Sequence, residues 1–325
     1  PPCPPPDWCR TPSLGHFEKA EGLPPSADAA VMAQAHEKSE VQENMDALGA
    51  VAAEVASNLS LHIKCSIAPA GCTEAPAGSK LCHFIRHGEG FHNVAQREWR
   101  AKPDWDGKSE PYTLDTDAEF HFIDAELNDV GKGQASDLQQ ATAALAPELM
   151  VVSPMRRATL TGLLAFQSHI ARKALPVVAH EQCHERAGKH TCDKRLPKSQ
   201  SAALYPDVDY ALIADEDDPF WGDGRTRETL PDLAMRAGRF LLWLLERPER
   251  HVAIAAHSAF LLSCFNAVRT RLPTRRPPAR TSSRAPPTHA HACCHAGACA
   301  VECDDEATRQ WFGTGEMRSV ILTRV

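Results

Sequence analysis

Beyond Lys80 the chain alternates short apolar runs with longer amphipathic stretches, and that alternation constrains its fold more than any other feature. Leu81–Ile85, Leu149–Val152, Pro176–Ala179, Val252–Ala256 and Arg318–Thr323 read as strands. Residues 131–146, Arg156–Ala171, Leu230–Glu246 and Ser258 to about Val268 read as helices, with Pro248 closing the third. The strand runs are apolar at nearly every position, which fits strands covered on both faces. Strands separated by helices feed a parallel sheet. The expectation is an α/β fold with helices on both sides of a mainly parallel sheet.

The first 80 residues differ in texture. Residues 1–27 are Pro-rich and read as a disordered arm. Residues 28–62 read as an amphipathic helix, with Val41, Met45, Leu48, Ala52, Val55 and Leu59 at helical spacing. Such a stripe either docks on the main domain or serves self-association, and docking is the preferred reading. Residues 63–79, with Pro69, Gly71, Pro76 and Gly78, read as a linker. The main domain then spans 80–325, interrupted by a low-complexity insertion at 271–303. That insertion carries His289, His291, Cys293, Cys294, His295, Cys299 and Cys303, whose spacing matches no zinc template. It is read as a looped-out segment, and no metal or cofactor is expected.

Composition narrows the classes. The net charge of −7 and pI near 6.2 do not advertise nucleic-acid binding. No apolar run is long enough to span a bilayer. The start of the chain shows no signal-peptide pattern, and the 12 cysteines are scattered, so reduced thiols in the cytoplasm are expected.

The chemistry concentrates at strand ends. The first strand ends in Arg86-His87-Gly88-Glu89-Gly90, the second in Ser153-Pro154-Met155-Arg156-Arg157, and the fourth in His257-Ser258. Open parallel sheets place ligands at the carboxyl ends of their strands. Imidazoles and guanidiniums gathered there, without a convincing metal set, suit a phosphate. Gly88 and Gly90 would let backbone N–H groups approach the anion.

In this order the segments resemble the histidine phosphatase superfamily, the phosphoglycerate-mutase-like proteins. Arg86-His87-Gly88-Glu89-Gly90 with Asn93, Leu127–Ala135, Ser153–Ala158 with Thr161, Cys183-His184-Glu185, Cys192-Asp193-Lys194-Arg195, Trp221, Arg227-Glu228 and His257-Ser258 carry the resemblance. The Cys-Asp-Lys-Arg version is similar to a plant, fungal and algal subgroup. The resemblance implies a three-layer α/β/α sandwich with a mainly parallel sheet, here plus an N-terminal helical arm, and a metal-free site. It implies His87 as nucleophile, with Arg86, Arg157 and His257 holding the phosphoryl oxygens and Asn93 as a further polar ligand. It implies Glu185 as general acid, with Asp193 and Glu89 as rival carboxylates. Gly88, Ser258 and Arg195 complete the expected substrate contacts. Lys194, Trp105, Trp221 and Arg227 are candidates for the rim, and Arg156 for the rim or solvent.

The function expected is a phosphomonoester phosphatase acting through phosphohistidine on a small phosphorylated substrate. Glu89-Gly90-Phe91-His92-Asn93 departs from the Glu-Ser-x-Trp-Asn pattern of cofactor-dependent phosphoglycerate mutases, so mutase activity ranks second. A catalytically silent binding protein of the same fold ranks third.

Overall fold

The computed structural model describes residues 27–266, 301–303 and 306–325, with side chains from Lys38 onward in the first helix. Residues 1–26 of the Pro-rich arm and residues 271–300 of the insertion lie outside the described residues. So does its Cys/His run, apart from the backbone of Cys303.

A sheet of seven strands forms the centre, in the order β4-β3-β5-β2-β7-β1-β6. The strands are β1 (Ile63–Ile67), β2 (Ser79–Arg86), β3 (Leu149–Val152), β4 (Val177–Ala179), β5 (His251–Ala256), β6 (Val301–Cys303) and β7 (Met317–Arg324). β4, β3, β5 and β2 run parallel to one another, whereas β7 is antiparallel to both β2 and β1. The helices are α1 (Ala27–Leu59), α2 (Phe91–Arg100), α3 (Asp129–Thr142), α4 (Arg156–Ala165), α5 (Gln167–Ala171), α6 (Lys198–Leu204), α7 (Leu230–Glu246) and α8 (Ser258–Asn266).

Period-two alternation along the central strands builds the three layers. Cys82, Phe84, Val151, Val252 and Ile254 face one core, which α1, α7 and α8 close with Leu48, Val55, Leu233, Phe240 and Phe260. Ile85, Met150, Val152, Ala253 and Ala255 face the other, closed by Leu160, Leu163 and Phe166 of the α4 region. Since both faces are covered, every residue of β3 and β5 is buried, as the apolar runs require.

Helix starts follow side-chain capping chemistry. Asn128 Oδ1 accepts the Gly131 N–H at the start of α3, and Thr229 Oγ1 accepts the Asp232 N–H at the start of α7. The stretch expected as one helix from Arg156 to Ala171 breaks at Phe166, whose ring is buried in the second core.

Two boundaries differ from the sequence reading. Ile63–Ile67, placed in the linker, is a strand that pairs antiparallel with β7. Val301–Cys303, placed at the end of the insertion, pairs parallel with β1 and extends the sheet. A five-residue strand and a three-residue strand carry too little periodicity to stand out among Pro, Gly and Ala; only their partners define them. The stripe of α1 docks: Leu48, Ala52, Val55 and Ala56 are fully buried, and Met45, Val51 and Leu59 pack beside them. From Met45 to Leu59 its apolar positions pack within the chain.

Candidate active site

Sheet order brings three strand ends side by side. β3, β5 and β2 are neighbours running in one direction, and their carboxyl ends are level. The His87 N–H donates to the Ala256 carbonyl at 3.0 Å and the Ser153 N–H to the Ala255 carbonyl at 2.9 Å. The turns that follow therefore deliver Arg86-His87, Ser153 to Arg157, and His257 to one edge.

His87 stands at the centre, 2% exposed. Its Nδ1 lies 2.7 Å from the Gly88 carbonyl, which can only accept, so Nδ1 carries the proton and Nε2 keeps its lone pair. Burial, then the Arg157 and Arg86 guanidiniums, hold its pKa well below the usual imidazole value, so the ring is neutral at pH 7. The His257 ring lies 5.2 Å from it and the His92 ring 5.6 Å, centroid to centroid. His257 Nε2 shares a hydrogen bond of 2.7 Å with Ser153 Oγ, and its Nδ1 is buried with no partner. Burial first, and Arg157 and His87 next, keep His257 neutral as well.

Arg157 is fully buried. It donates to the Cys192 carbonyl at 2.6 Å and to Asp193 Oδ1 at 2.8 Å, while its Nε has no partner. Asp193 Oδ2 accepts from Arg227 at 2.9 Å, so one carboxylate bridges two guanidiniums. Burial opposes its charge, but Arg227 and Arg157 outweigh burial and hold Asp193 well below the usual carboxylate range. Arg86 donates to the Phe312 carbonyl at 2.6 Å and lies over the Trp311 ring, which ties the site to the segment before β7.

Glu185 lies beside these groups, and its carboxylate caps α8. Oε2 accepts the Ser258 hydroxyl at 3.1 Å and the Ala259 N–H at 3.2 Å; Oε1 accepts the Phe260 N–H at 3.2 Å. Ser258 thus reaches the site through Glu185. The Glu185 carbonyl is held from behind by Arg236 at 3.0 Å and by His184 Nδ1 at 2.9 Å. His184 Nε2 faces Asp218 Oδ2 at 3.0 Å. Both His184 nitrogens meet acceptors, and although burial lowers its pKa, Asp218 more than reverses this and raises it.

A pocket opens over this cluster. Arg86, His87, Arg157, Glu185, Ser258 and Asn93 all line it, as do His92, Tyr112, His190 and Arg186, to which the sequence reading gave no role. Arg227, named there for the rim, lines it too. His92 sits one position before Asn93 and was readable as a candidate; His190 and Arg186 arrive through long-range packing. α1 supplies Glu40, Val41 and Asn44 to the lining, which no local pattern could have revealed. Asn93 Oδ1 accepts the Gly90 N–H at 2.9 Å, which starts α2.

Several expected contacts do not reach the pocket. The Gly88 N–H donates to Thr161 Oγ1 at 3.0 Å, so it is not offered to an anion. Gly88 is small because a Cβ would collide with the Gly131 carbonyl, and Gly131 is small because its own would collide with Glu89. Arg195 is 2% exposed and spends itself on Glu181 and on the carbonyls of Leu196, Asp215, Glu216 and Asp217. It pins the 215–217 loop and does not line the pocket. Arg156 clamps Asp124 and Glu126 on the far side of its helix turn. Glu89 pairs with Arg97 and Asn128. Lys194 lies over Trp221, and the Trp105 indole donates to the Ser109 carbonyl; none of the three lines the pocket.

His190, Cys192 and Asp193 place ligand atoms within 4.8 Å of one another. A cation there would face Arg157 and Arg227 on the same carboxylate, and burial pushes the Cys192 thiol well up, away from thiolate. The set does not fit a metal. The six described cysteines are free thiols, and among the described residues no helix is long and apolar enough to cross a membrane.

Phosphoglycerate mutase-like protein 1 of Arabidopsis thaliana is 30% identical over 218 residues, which span 58% of this chain and 72% of that protein. The chain belongs to the histidine phosphatase superfamily. The family model for its branch 1 matches residues 121–280, a stretch that begins after His87. A second relative, phosphoglycerate mutase-like protein of the same plant, is 30% identical over 210 residues, covering 56% of this chain and 72% of that protein. Among solved structures, the ecdysone phosphate phosphatase of Bombix mori with tungstate overlaps 63% of this chain and 83% of its own at 13% identity and a TM-score of 0.41. Superfamily membership supports phosphatase or mutase activity in general terms.

Proposed function

We propose that the protein is a phosphomonoester phosphatase that works through a phosphohistidine. The observation that carries this is His87: a buried, neutral ring with Nδ1 held by the Gly88 carbonyl and guanidiniums beside it. Nε2 attacks phosphorus in line, and the ester oxygen departs as the new N–P bond forms. Arg157, Arg86 and His257 hold the equatorial oxygens. The unpartnered Arg157 Nε and His257 Nδ1 supply donors that a phosphoryl group would satisfy. Glu185 gives the leaving alcohol its proton, then takes one from the water that hydrolyses the N–P bond.

Charge favours hydrolysis over the mutase reaction. Five guanidiniums and four carboxyl groups line the pocket, and with Glu185 holding the proton it donates the excess is two positive charges. That suits one phosphoryl dianion and opposes the bisphosphate that a cofactor-dependent mutase must hold.

The test is release of phosphate from p-nitrophenyl phosphate by the wild type and by His87→Ala. Labelled substrate should leave a base-stable, acid-labile phosphoryl group on the wild type alone. Rapid isomerisation of 3-phosphoglycerate in the presence of 2,3-bisphosphoglycerate, without free phosphate, would establish the mutase instead.

A further inference from the structure

The segment after the nucleophile departs from the mutase pattern at two positions. Gly90 stands where that pattern has Ser, and His92 where it has Trp. These two residues touch. A methyl group on Gly90 would come within 2.7 Å of His92 Nδ1 and 2.8 Å of its Cε1, nearer than the Glu126 carbonyl at 3.0 Å. The backbone itself demands no glycine, since a φ of −99° and a ψ of 164° suit any residue. Gly90 is small mainly so that the His92 ring can lie against it.

The ring seated there is 7% exposed and lines the pocket. Its centroid lies 5.6 Å from that of His87, close to the 5.2 Å of His257, which is assigned to the phosphoryl oxygens. Tyr112 packs against it edge to face at 6.2 Å. Burial, and next Arg157, hold its pKa well below the usual imidazole value, so the ring is neutral and carries one proton.

The surroundings decide where that proton sits. Nδ1 is buried with no partner, on the edge turned to Gly90. A proton on Nδ1 would be a donor without an acceptor, and buried N–H groups of that kind are rare. The proton therefore sits on Nε2, the nitrogen left to face the pocket, where no described residue takes it. Beside the Arg157 and Arg86 guanidiniums, a bound oxyanion is the acceptor this donor lacks.

We infer that His92 is a further ligand of the phosphoryl group and donates its Nε2–H to a phosphoryl oxygen. The inference rests on the phosphatase reading above and adds one donor to it, carried by α2. Gly90, His92 and Asn93 then divide the work. Gly90 makes room, His92 reaches the anion, and Asn93 Oδ1 accepts the Gly90 N–H and starts the helix that holds the ring in place.

The experiment compares two amide variants, because each mimics a different nitrogen of the ring. His92→Gln puts an N–H near the position of Nε2, and His92→Asn puts one near that of Nδ1. Calorimetry measures the binding of inorganic phosphate, p-nitrophenyl phosphate gives kcat/KM, and thermal melting confirms that each variant folds. His92→Asn is expected to weaken phosphate binding and to lower kcat/KM by about tenfold or more, the loss of a hydrogen bond to a charged group. His92→Gln should stay within about threefold of the wild type in both. Phosphate binding by His92→Asn at the wild-type level, or equal losses in the two variants, overturns the inference. The two readings fail separately. A wild type that binds phosphate and hydrolyses no ester loses the phosphatase reading, while the binding series still decides His92. A wild type that binds no phosphate loses both.

Discussion

Glu185 Oε2 accepts the Ser258 hydroxyl at 3.1 Å, so the carboxylate assigned as proton donor also holds the start of the helix behind His257. The same side chain has a structural and a chemical duty, and one substitution separates them. Glu185→Gln keeps the shape and weakens the cap, which should cost about 1 kcal/mol in urea unfolding. The loss of proton transfer should lower kcat for an alkyl phosphate about 100-fold or more, and far less for p-nitrophenyl phosphate, whose leaving group needs no proton. A stability loss with unchanged kcat on both esters would make Glu185 a cap only.

Asp193 neutralises two guanidiniums at once, the buried Arg157 at 2.8 Å and the half-buried Arg227 at 2.9 Å. Asp193→Asn leaves them short of one negative charge, and removing one partner of a buried pair costs about 3–5 kcal/mol. An anion in the pocket would supply the missing charge. Inorganic phosphate should therefore raise the melting temperature of Asp193→Asn more than that of the wild type. An equal shift in both proteins would place the phosphate away from Arg157.

Acid should destabilise the fold well above the carboxylate range. Burial lowers the pKa of His83 to about 4, helped by His251, and burial alone lowers His180 to about 4. The unfolded rings titrate near 6.5. Between about pH 6.5 and 4 the unfolded chain binds more protons than the native one, so stability falls as pH falls through that window. Each ring contributes a slope of up to about 1.4 kcal/mol per pH unit. His180→Asn keeps an acceptor for the Gln182 N–H and removes the titration, so its stability should vary less steeply with pH, by about one proton. Urea unfolding at pH 7, 5.5 and 4.5 measures this, and parallel curves would refute it.

Gly88→Ala tests the packing role found in place of an anion contact. The new methyl would meet the Gly131 backbone, which cannot rotate away as a side chain would. Overpacking of this kind costs about 1–3 kcal/mol. The strain falls on the residue next to His87, so phosphate release should drop as well. Unchanged stability would show that the α3 start yields freely.

The strand ends were readable because their chemistry is local. Arg86-His87 and His257 each follow a run of buried apolar residues, and a reader can place charged residues at a strand end without knowing its neighbours. Arg195 shows the limit. Its motif position argued for substrate contact, yet its donors are consumed by Glu181, the adjacent Leu196 carbonyl and three carbonyls of a loop about 20 residues away. Gly88 shows another: that a glycine is needed is legible, but whether it makes room for an anion or for Gly131 is not.

The amino-acid order alone determined the alternation of strand and helix, the helix that precedes the main domain, and the identity of the nucleophile, acid and phosphate-holding residues proposed for the site. The first two follow from periodicity, which acts over a few residues, and the last from the resemblance of the motifs to those of the histidine phosphatases. Only the folded chain decided that β3, β5 and β2 stand side by side, that β1 and β6 extend the sheet, and that Glu40 and Asn44 reach the pocket from α1. Those relationships join residues far apart in the chain. α1 reaches the pocket because its apolar stripe is buried in the same core as α7 and α8.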